Sequence, residues 1–285
     1  MTHGSDQLGE GPVWLPGSAR LLRVDITAAA IISRHVATGL ELRRRLATPT
    51  GFALPARGGA IVAGPGHDVV LLPRLDGRAE RIARVESDAA DNRFNDAAVD
   101  PCGRLWAGTM STTRRAGAGA LYRLLPDGRT DRMLSGLTIS NGLDWNLDAT
   151  RLYHIDSTAQ RVDAIDFDVD RGVLGARRPL IRIDPSDGLP DGLAVDADGG
   201  IWIALFGGRA LRRHRADGSL DAEIRLPVTN PTSVAFGGPE LRELFVTSAR
   251  HRLTPAQLAA EPLAGSLLRL RPGVAGRITH RFGAG

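Results

Sequence analysis

Six short stretches of this chain put a side-chain oxygen at the head of an apolar run. They are EGPVW from Glu10, TGFAL from Thr50, NDAAV from Asn95, NGLDW from Asn141, DGLAV from Asp191 and TSVAF from Thr232. Together they offer two carboxylates, two carboxamides and two hydroxyls, with no thiol or imidazole. If the fold gathers these groups, two carboxylates face each other and repel unless a cation lies between them. An all-oxygen donor set suits Ca²⁺, Mg²⁺ or Mn²⁺, and Zn²⁺ and Fe²⁺ also accept carboxylates, so the set points to one divalent ion without choosing it. A single Asn or Asp before Gly is ordinarily a turn residue. A turn role does not require Glu, Asn, Asn and Asp to share one register.

What could gather them is the element pattern around each stretch. Every one reads as a short apolar strand, a turn of Gly, Pro or Asp, and a second strand, as in NDAAVDPCGRLWAGT and DGLAVDADGGIWIALF. A third strand follows in each case (AIISRHVATG, VVLLPRLDG, ALYRLLPDG, RVDAIDFDVDRG, ALRRHRADG and SLLRLRPG), closed by a Gly suited to a hairpin turn. Candidates for a fourth are ELRRRLAT, AERIARV, TDRMLSG, RPLIRID, AEIRLPV and RITHRFG. Six such units predict an all-β, six-bladed β-propeller with four antiparallel strands per blade, forming one domain over residues 1–285. A β-sandwich has no reason to repeat one strand-turn-strand pattern six times. In a propeller the first strand of each blade lines the central channel, so the six heads are expected to form a ring. TPAQLAAEPLAG is expected to add a helical turn or two in a loop of the last blade.

Bulk properties exclude several classes. No apolar run is long enough to span a bilayer. The net charge of +4 suggests nucleic acid, yet the chain has no Lys, its Arg residues are interspersed with 32 acidic ones, and aromatics make up 5%. Neither a basic tract nor a stacking platform results, so no nucleic-acid partner is expected. MTHGSDQLGEGP lacks the basic and apolar regions of a secretory signal, and Cys102 is the lone cysteine; both lead us to expect a cytoplasmic protein. No G-x-S-x-G, H-E-x-x-H or Walker sequence competes as a catalytic device. His154 is expected to be structural or solvent-facing, and His251 could reach the channel rim.

The stretches LGEGPVW, RFNDAAVDPCGRLWAGTM, ISNGLDWNLD, YHIDS, PDGLAVDADGGIWIA and SVAFGG through FVTSAR, in that order, resemble the SMP-30/gluconolactonase/luciferin-regenerating-enzyme family. The resemblance implies a six-bladed propeller with one divalent metal in the channel and hydrolysis of sugar lactones. It places the metal ligands on Glu10, Asn141 and Asp191, with Asp191 also the general base for a metal-activated water. It places substrate contacts on Arg93, Asn95 and Asp96 of RFND. The lid region of relatives falls on residues 111–119, where animal-type members carry an acid that helps hold the substrate. Here the run is Ser111, Thr112, Thr113, Arg114 and Arg115, which adds positive charge and suggests another sugar or an acidic lactone. Two other functions stay open: hydrolysis of a non-sugar lactone or another ester on the same metal, and a non-catalytic, calcium-binding propeller. Which lactone, which ion, how the ring closes and the oligomeric state do not follow from the residues.

Overall fold

A computed structural model describes residues 5–283 of the chain. The protein is a six-bladed β-propeller in which each sheet is built from consecutive antiparallel strands. The inner strands are Gly9–Leu15, Thr50–Pro55, Asn92–Val99, Ser140–Trp145, Leu189–Val195 and Pro231–Gly237. They are almost wholly buried, whereas the outermost strands of the first, second and fifth blades, such as Glu80–Arg84 and Leu220–Arg225, are charged and mostly exposed. This gradient follows from radial packing: channel strands touch two neighbouring blades, while the rim presents Arg and Glu that discourage edge-to-edge pairing.

Each inner strand carries the same irregularity. Glu10 pairs with Val24 and Val13 with Leu22, so the inner strand holds one residue more than its partner. The same slip falls between Thr50 and Ala53, Phe94 and Ala97, Ser140 and Leu143, Pro190 and Leu193, and Pro231 and Ser233. A bulge of this kind bends the strand and re-aims a side chain. Here it recurs beside every predicted ring position.

The repeated AVDxxGxxW sequence has a structural cause. Asp100 accepts the backbone N–H of Cys102 and Arg104 and the indole N–H of Trp106 (3.0 Å each), while Asp196 does the same for Asp198, Gly200 and Trp202. One carboxylate thus closes the hairpin turn and fixes the core Trp of its blade.

Five sheets have four strands and the sixth has three, ending at Leu268–Leu270. RITHRFG, expected as its fourth strand, does not join it. The segment runs across the channel instead. Arg277 donates to Asp144 Oδ1 (3.1 Å) and to the carbonyls of Trp145 (2.7 Å) and Val195 (3.2 Å), and Phe282 bridges Ala56 in blade two. Contacts across the blades outweigh one more hairpin because Phe282 becomes buried and the Arg277 fork finds three acceptors. Ring closure is non-covalent: Leu8 bridges Ala249, and Thr232 Oγ1 donates to the carbonyl of Gly9 (2.6 Å). The helix Pro255–Ala260 lies in the last blade as expected, opened by a capping box between Thr254 and Gln257.

His154 is structural. It is fully buried, with Nε2 2.9 Å from Ser140 Oγ, and burial with Arg177 nearby pushes its pKa down to about 4 despite Asp156 and Asp163. Below an ordinary pKa of about 6.5 the unfolded chain takes up a proton that the folded chain refuses until about pH 4. Stability from this group is therefore complete above pH 6.5 and falls between 6.5 and 4, by on the order of 3 kcal/mol at most. Thermal denaturation at pH 7.5 and pH 5 should show a smaller pH difference for His154→Gln than for the parent; an equal difference would refute this role.

Candidate active site

Glu10, Asn141 and Asp191, from blades one, four and five, come together in the channel, and the first two are positioned from outside the ring. Asp25 accepts the N–H groups of Gln7 (2.9 Å) and Leu8 (3.1 Å), the residues leading into Glu10. Asp156 accepts those of Thr138 (2.9 Å) and Ile139 (3.1 Å), which lead into Asn141 in the same register. Each clamp fixes the chain just before a bulge, so the donor that follows has a defined direction. These aspartates end RVD and HID in the sequence, a recurrence that could have revealed them.

Glycine follows the donor in blades two, four and five because adjacent inner strands nearly touch there. A Cβ on Gly142 would lie 2.6 Å from the carbonyl oxygen of Asp191, and one on Gly51 would lie 2.4 Å from that of Phe94. The close approach brings Asn141 to Asp191.

Of the six predicted ring members, four line one cavity of about 270 Å³: Glu10, Asn95, Asn141 and Asp191. Thr50 and Thr232 do not. Both are fully buried, with their hydroxyls tied to the carbonyls of Thr48 (3.1 Å) and Gly9 (2.6 Å), so they brace the backbone. Arg93 also lines the cavity; its Nη1 donates to Asn95 Oδ1 (2.9 Å) and to the carbonyl of Phe94 (2.8 Å). Asn95 Nδ2 donates to the carbonyl of Ser140 (3.0 Å), which joins blades three and four. Asp96 lies elsewhere. Its side chain lines a second cavity, of about 110 Å³, further along the channel, where the Arg277–His280 segment forms the wall. The bulge that turns Asn95 toward the first cavity leaves its neighbour on the wall of the second, from which its charge still acts on Glu10 and Asp191.

Burial pushes the Glu10 carboxyl well above the usual carboxylate range, and the charges of Asp191 and Asp96 push it further; the Gly11 N–H (2.8 Å) and Arg93 oppose this. Asp191 is also held well above that range by burial and by Asp96, against hydrogen bonds from Asn141 and Glu10. Asp96 is raised to about 6, mainly by burial. So many buried carboxylates stay charged only if a cation compensates them.

A further observation favours a cation. Asn141 Nδ2 donates to Ser157 Oγ (3.0 Å), leaving the buried Oδ1 with no hydrogen-bond partner. A buried carbonyl oxygen left in that state is costly unless something positive meets it. No cluster of three or more His, Cys, Asp or Glu side chains placed to hold a metal occurs among the described residues. The third donor here is a carboxamide, and two carboxylates with a carboxamide make a hard-oxygen set that fits a divalent ion.

Several walls of the cavity escaped the sequence reading: Leu8, Ile26, Met110, Ile139, Leu189, Phe206 and Arg252. Leu8, Ile139 and Leu189 each stand two residues before a donor, at Glu10, Asn141 and Asp191, a register that could have revealed them, whereas Ile26, Met110, Phe206 and Arg252 come from the ends of second strands and the loops after them. His251 does reach the rim, where burial and the nearby Arg93 lower its pKa. Arg114 faces the cavity, while Arg115 turns outward to Asp91 (3.4 Å).

Residues 8–250 match the family model described as SMP-30/Gluconolactonase/LRE-like region. The chain belongs to this SMP-30/gluconolactonase-like family. Curated family relatives include regucalcin of Oryctolagus cuniculus, 36% identical over 268 residues (92% of this chain and 90% of that protein), and regucalcin of Homo sapiens, also 36% identical with the same coverage. Among solved structures, a luciferin-regenerating enzyme superposes with a TM-score of 0.92 at 30% identity, over 98% of this chain and 96% of that one. A calcium-binding protein, regucalcin from Agrobacterium tumefaciens, gives 0.94 at 28% identity, over 99% and 95%. A gluconolactonase from Xanthomonas campestris, at 23% identity and a TM-score of 0.75 over 87% and 85%, shares the family's fold. No helix among the described residues is long and apolar enough to cross a membrane.

Proposed function

We propose that the protein is a metal-dependent lactonase that opens a sugar lactone to its aldonic acid. The observation that carries this reading is the unpartnered, buried Asn141 Oδ1 beside the Glu10 and Asp191 carboxyls on the floor of a substrate-sized cavity. Family membership, and the gluconolactonase among its structural relatives, support the reaction class. The calcium-binding relative supports an ion.

Glu10, Asn141 and Asp191 would hold the cation; when bound, it supplies Lewis acidity toward the lactone carbonyl and makes water more acidic. The donor set leaves Ca²⁺, Mg²⁺, Mn²⁺, Zn²⁺ and Fe²⁺ all admissible. Asp191 takes the proton of the attacking water. As the water oxygen adds to the carbonyl carbon, the ring C–O bond breaks and the departing oxygen receives a proton. Arg93 keeps Nε and Nη2 without protein acceptors among the described residues, leaving them for ring-ester or hydroxyl oxygens. Asn95, held by Arg93 and by the Ser140 carbonyl, keeps its place beside that fork.

A second reading, a non-sugar lactone on the same centre, draws on the apolar share of the walls: Leu8, Ile26, Met110, Ile139, Leu189 and Phe206. One experiment separates these from a non-catalytic ion binder. The protein is stripped with chelator, divalent ions are restored singly, and acid release is followed from glucono-, xylono- and arabinolactone and from unsubstituted γ- and δ-lactones. We expect no turnover after stripping and recovery with at least one ion on the sugar lactones. Full activity in the stripped protein, or no lactone opened with any ion, would overturn the proposal.

A further inference from the structure

We propose that the cavity takes a lactone bearing a second, anionic group, a carboxylate received by Arg114 and Arg252; this rests on the lactonase reading and names its substrate class. The ionisable groups lining the cavity are Glu10 and Asp191 on the floor, and Arg93, His251, Arg114 and Arg252. No carboxylate stands among the upper residues. Many of the chain's other arginines, though not all, are matched with acids: Arg23 with Asp6 (2.7 Å), Arg213 with Asp196 (2.7 Å), and Arg115, next to Arg114, with Asp91 (3.4 Å). The guanidinium groups of Arg114 and Arg252 have neither a hydrogen bond nor an ion pair among the described residues.

Both arginines also sit in left-handed backbone, at φ of 58° and 66°. That conformation costs a non-glycine residue roughly 1–2 kcal/mol and persists where surrounding contacts enforce it. The two lie in separate loops, after the second strands of blades three and six, and yet line one cavity. A neutral polyol needs donors and acceptors in comparable number; beyond Glu10, Asp191 and the amides of Asn95 and Asn141, these walls offer apolar surface, three guanidinium groups, His251 and the hydroxyls of Thr27, Thr112 and Ser157, with no further carboxylate. A carboxylate accepts from planar forks in paired bonds, and the half-buried Arg114 and the exposed Arg252 are both open to an incoming anion. In the reaction, water adds at the lactone carbonyl, the ring C–O bond breaks, and the second carboxylate is unchanged, so the product is a dianion with release of one proton.

The test compares D-glucaro-1,4-lactone with D-glucono-1,4-lactone, which differ in a terminal carboxylate against a hydroxymethyl group, on the metal-loaded protein. We expect kcat/KM at least tenfold higher for the acidic lactone, expressed in KM and weakened by added KCl. In the Arg114→Gln/Arg252→Gln double variant, with its fold checked by circular dichroism, the preference should collapse toward one, and the double Lys variant should restore part of it. A wild-type ratio of one or less, or a ratio unchanged in the Gln variant, overturns the proposal. Should neither lactone open, the lactonase reading fails and the anion site is tested alone by calorimetric titration with glucarate and gluconate. Tighter glucarate binding in the parent, lost in the Gln variant, supports the site; equal binding refutes it.

Discussion

Asp191→Asn is expected to lower kcat for lactone opening by about 10³-fold, near the middle of the range seen when a positioned base is lost. The substitution preserves shape and volume at a buried strand bulge, so the protein should fold. It removes two things together: the basic oxygen that receives the water proton, and one of the two charges that compensate a cation on the channel floor. Arg93 and Asn95 stay in place, held by the Phe94 and Ser140 carbonyls, so KM should change much less than kcat. Acid release followed at constant pH, with circular dichroism as a folding check, reads the outcome. A kcat within tenfold of the parent would leave the mechanism without its base.

Gly142→Ala should damage both stability and activity, although residue 142 offers no chemistry of its own. Its Cβ would meet the Asp191 carbonyl oxygen and the Leu193 amide nitrogen at 2.6 Å each. Both are backbone atoms of the next inner strand and cannot rotate away. Relief requires blades four and five to separate, or the Asp191 strand to shift. We expect a loss of about 3 kcal/mol, at the upper end of ordinary overpacking, and a fall in kcat of roughly 10²-fold, as for a displacement near 1 Å at a reacting centre. Gly17→Ala is the control, since a Cβ there would have no atom within 4 Å and the change should be close to neutral. Denaturation midpoints and turnover of the two variants decide the matter; matching behaviour would mean that blade spacing does not position the site.

The propeller was legible because the strand-turn-strand pattern is local and repeats six times. Its last strand was not: RITHRFG alternates as a strand should, and only the acceptors offered by Asp144, Trp145 and Val195 draw it across the channel. The ring was legible as a register and partly misread as a function. Thr50 and Thr232 share that register, yet their hydroxyls find backbone carbonyls first. Asp96 follows Asn95 by one residue, and at a bulge that one residue decides which cavity a side chain enters.

By itself the sequence determined which residues carry oxygen donors, that they head equivalent strands, and that the strands belong to six similar units. Those properties depend on spacing along the chain, which hydrophobic alternation and turn residues make readable. Only the tertiary structure decided that Asn141 Oδ1 is left without a partner, that Arg114 faces inward while Arg115 pairs with Asp91, and that Arg252 joins it. These depend on distances between blades, where backbone approach, desolvation and competing acceptors act together across residues far apart in sequence.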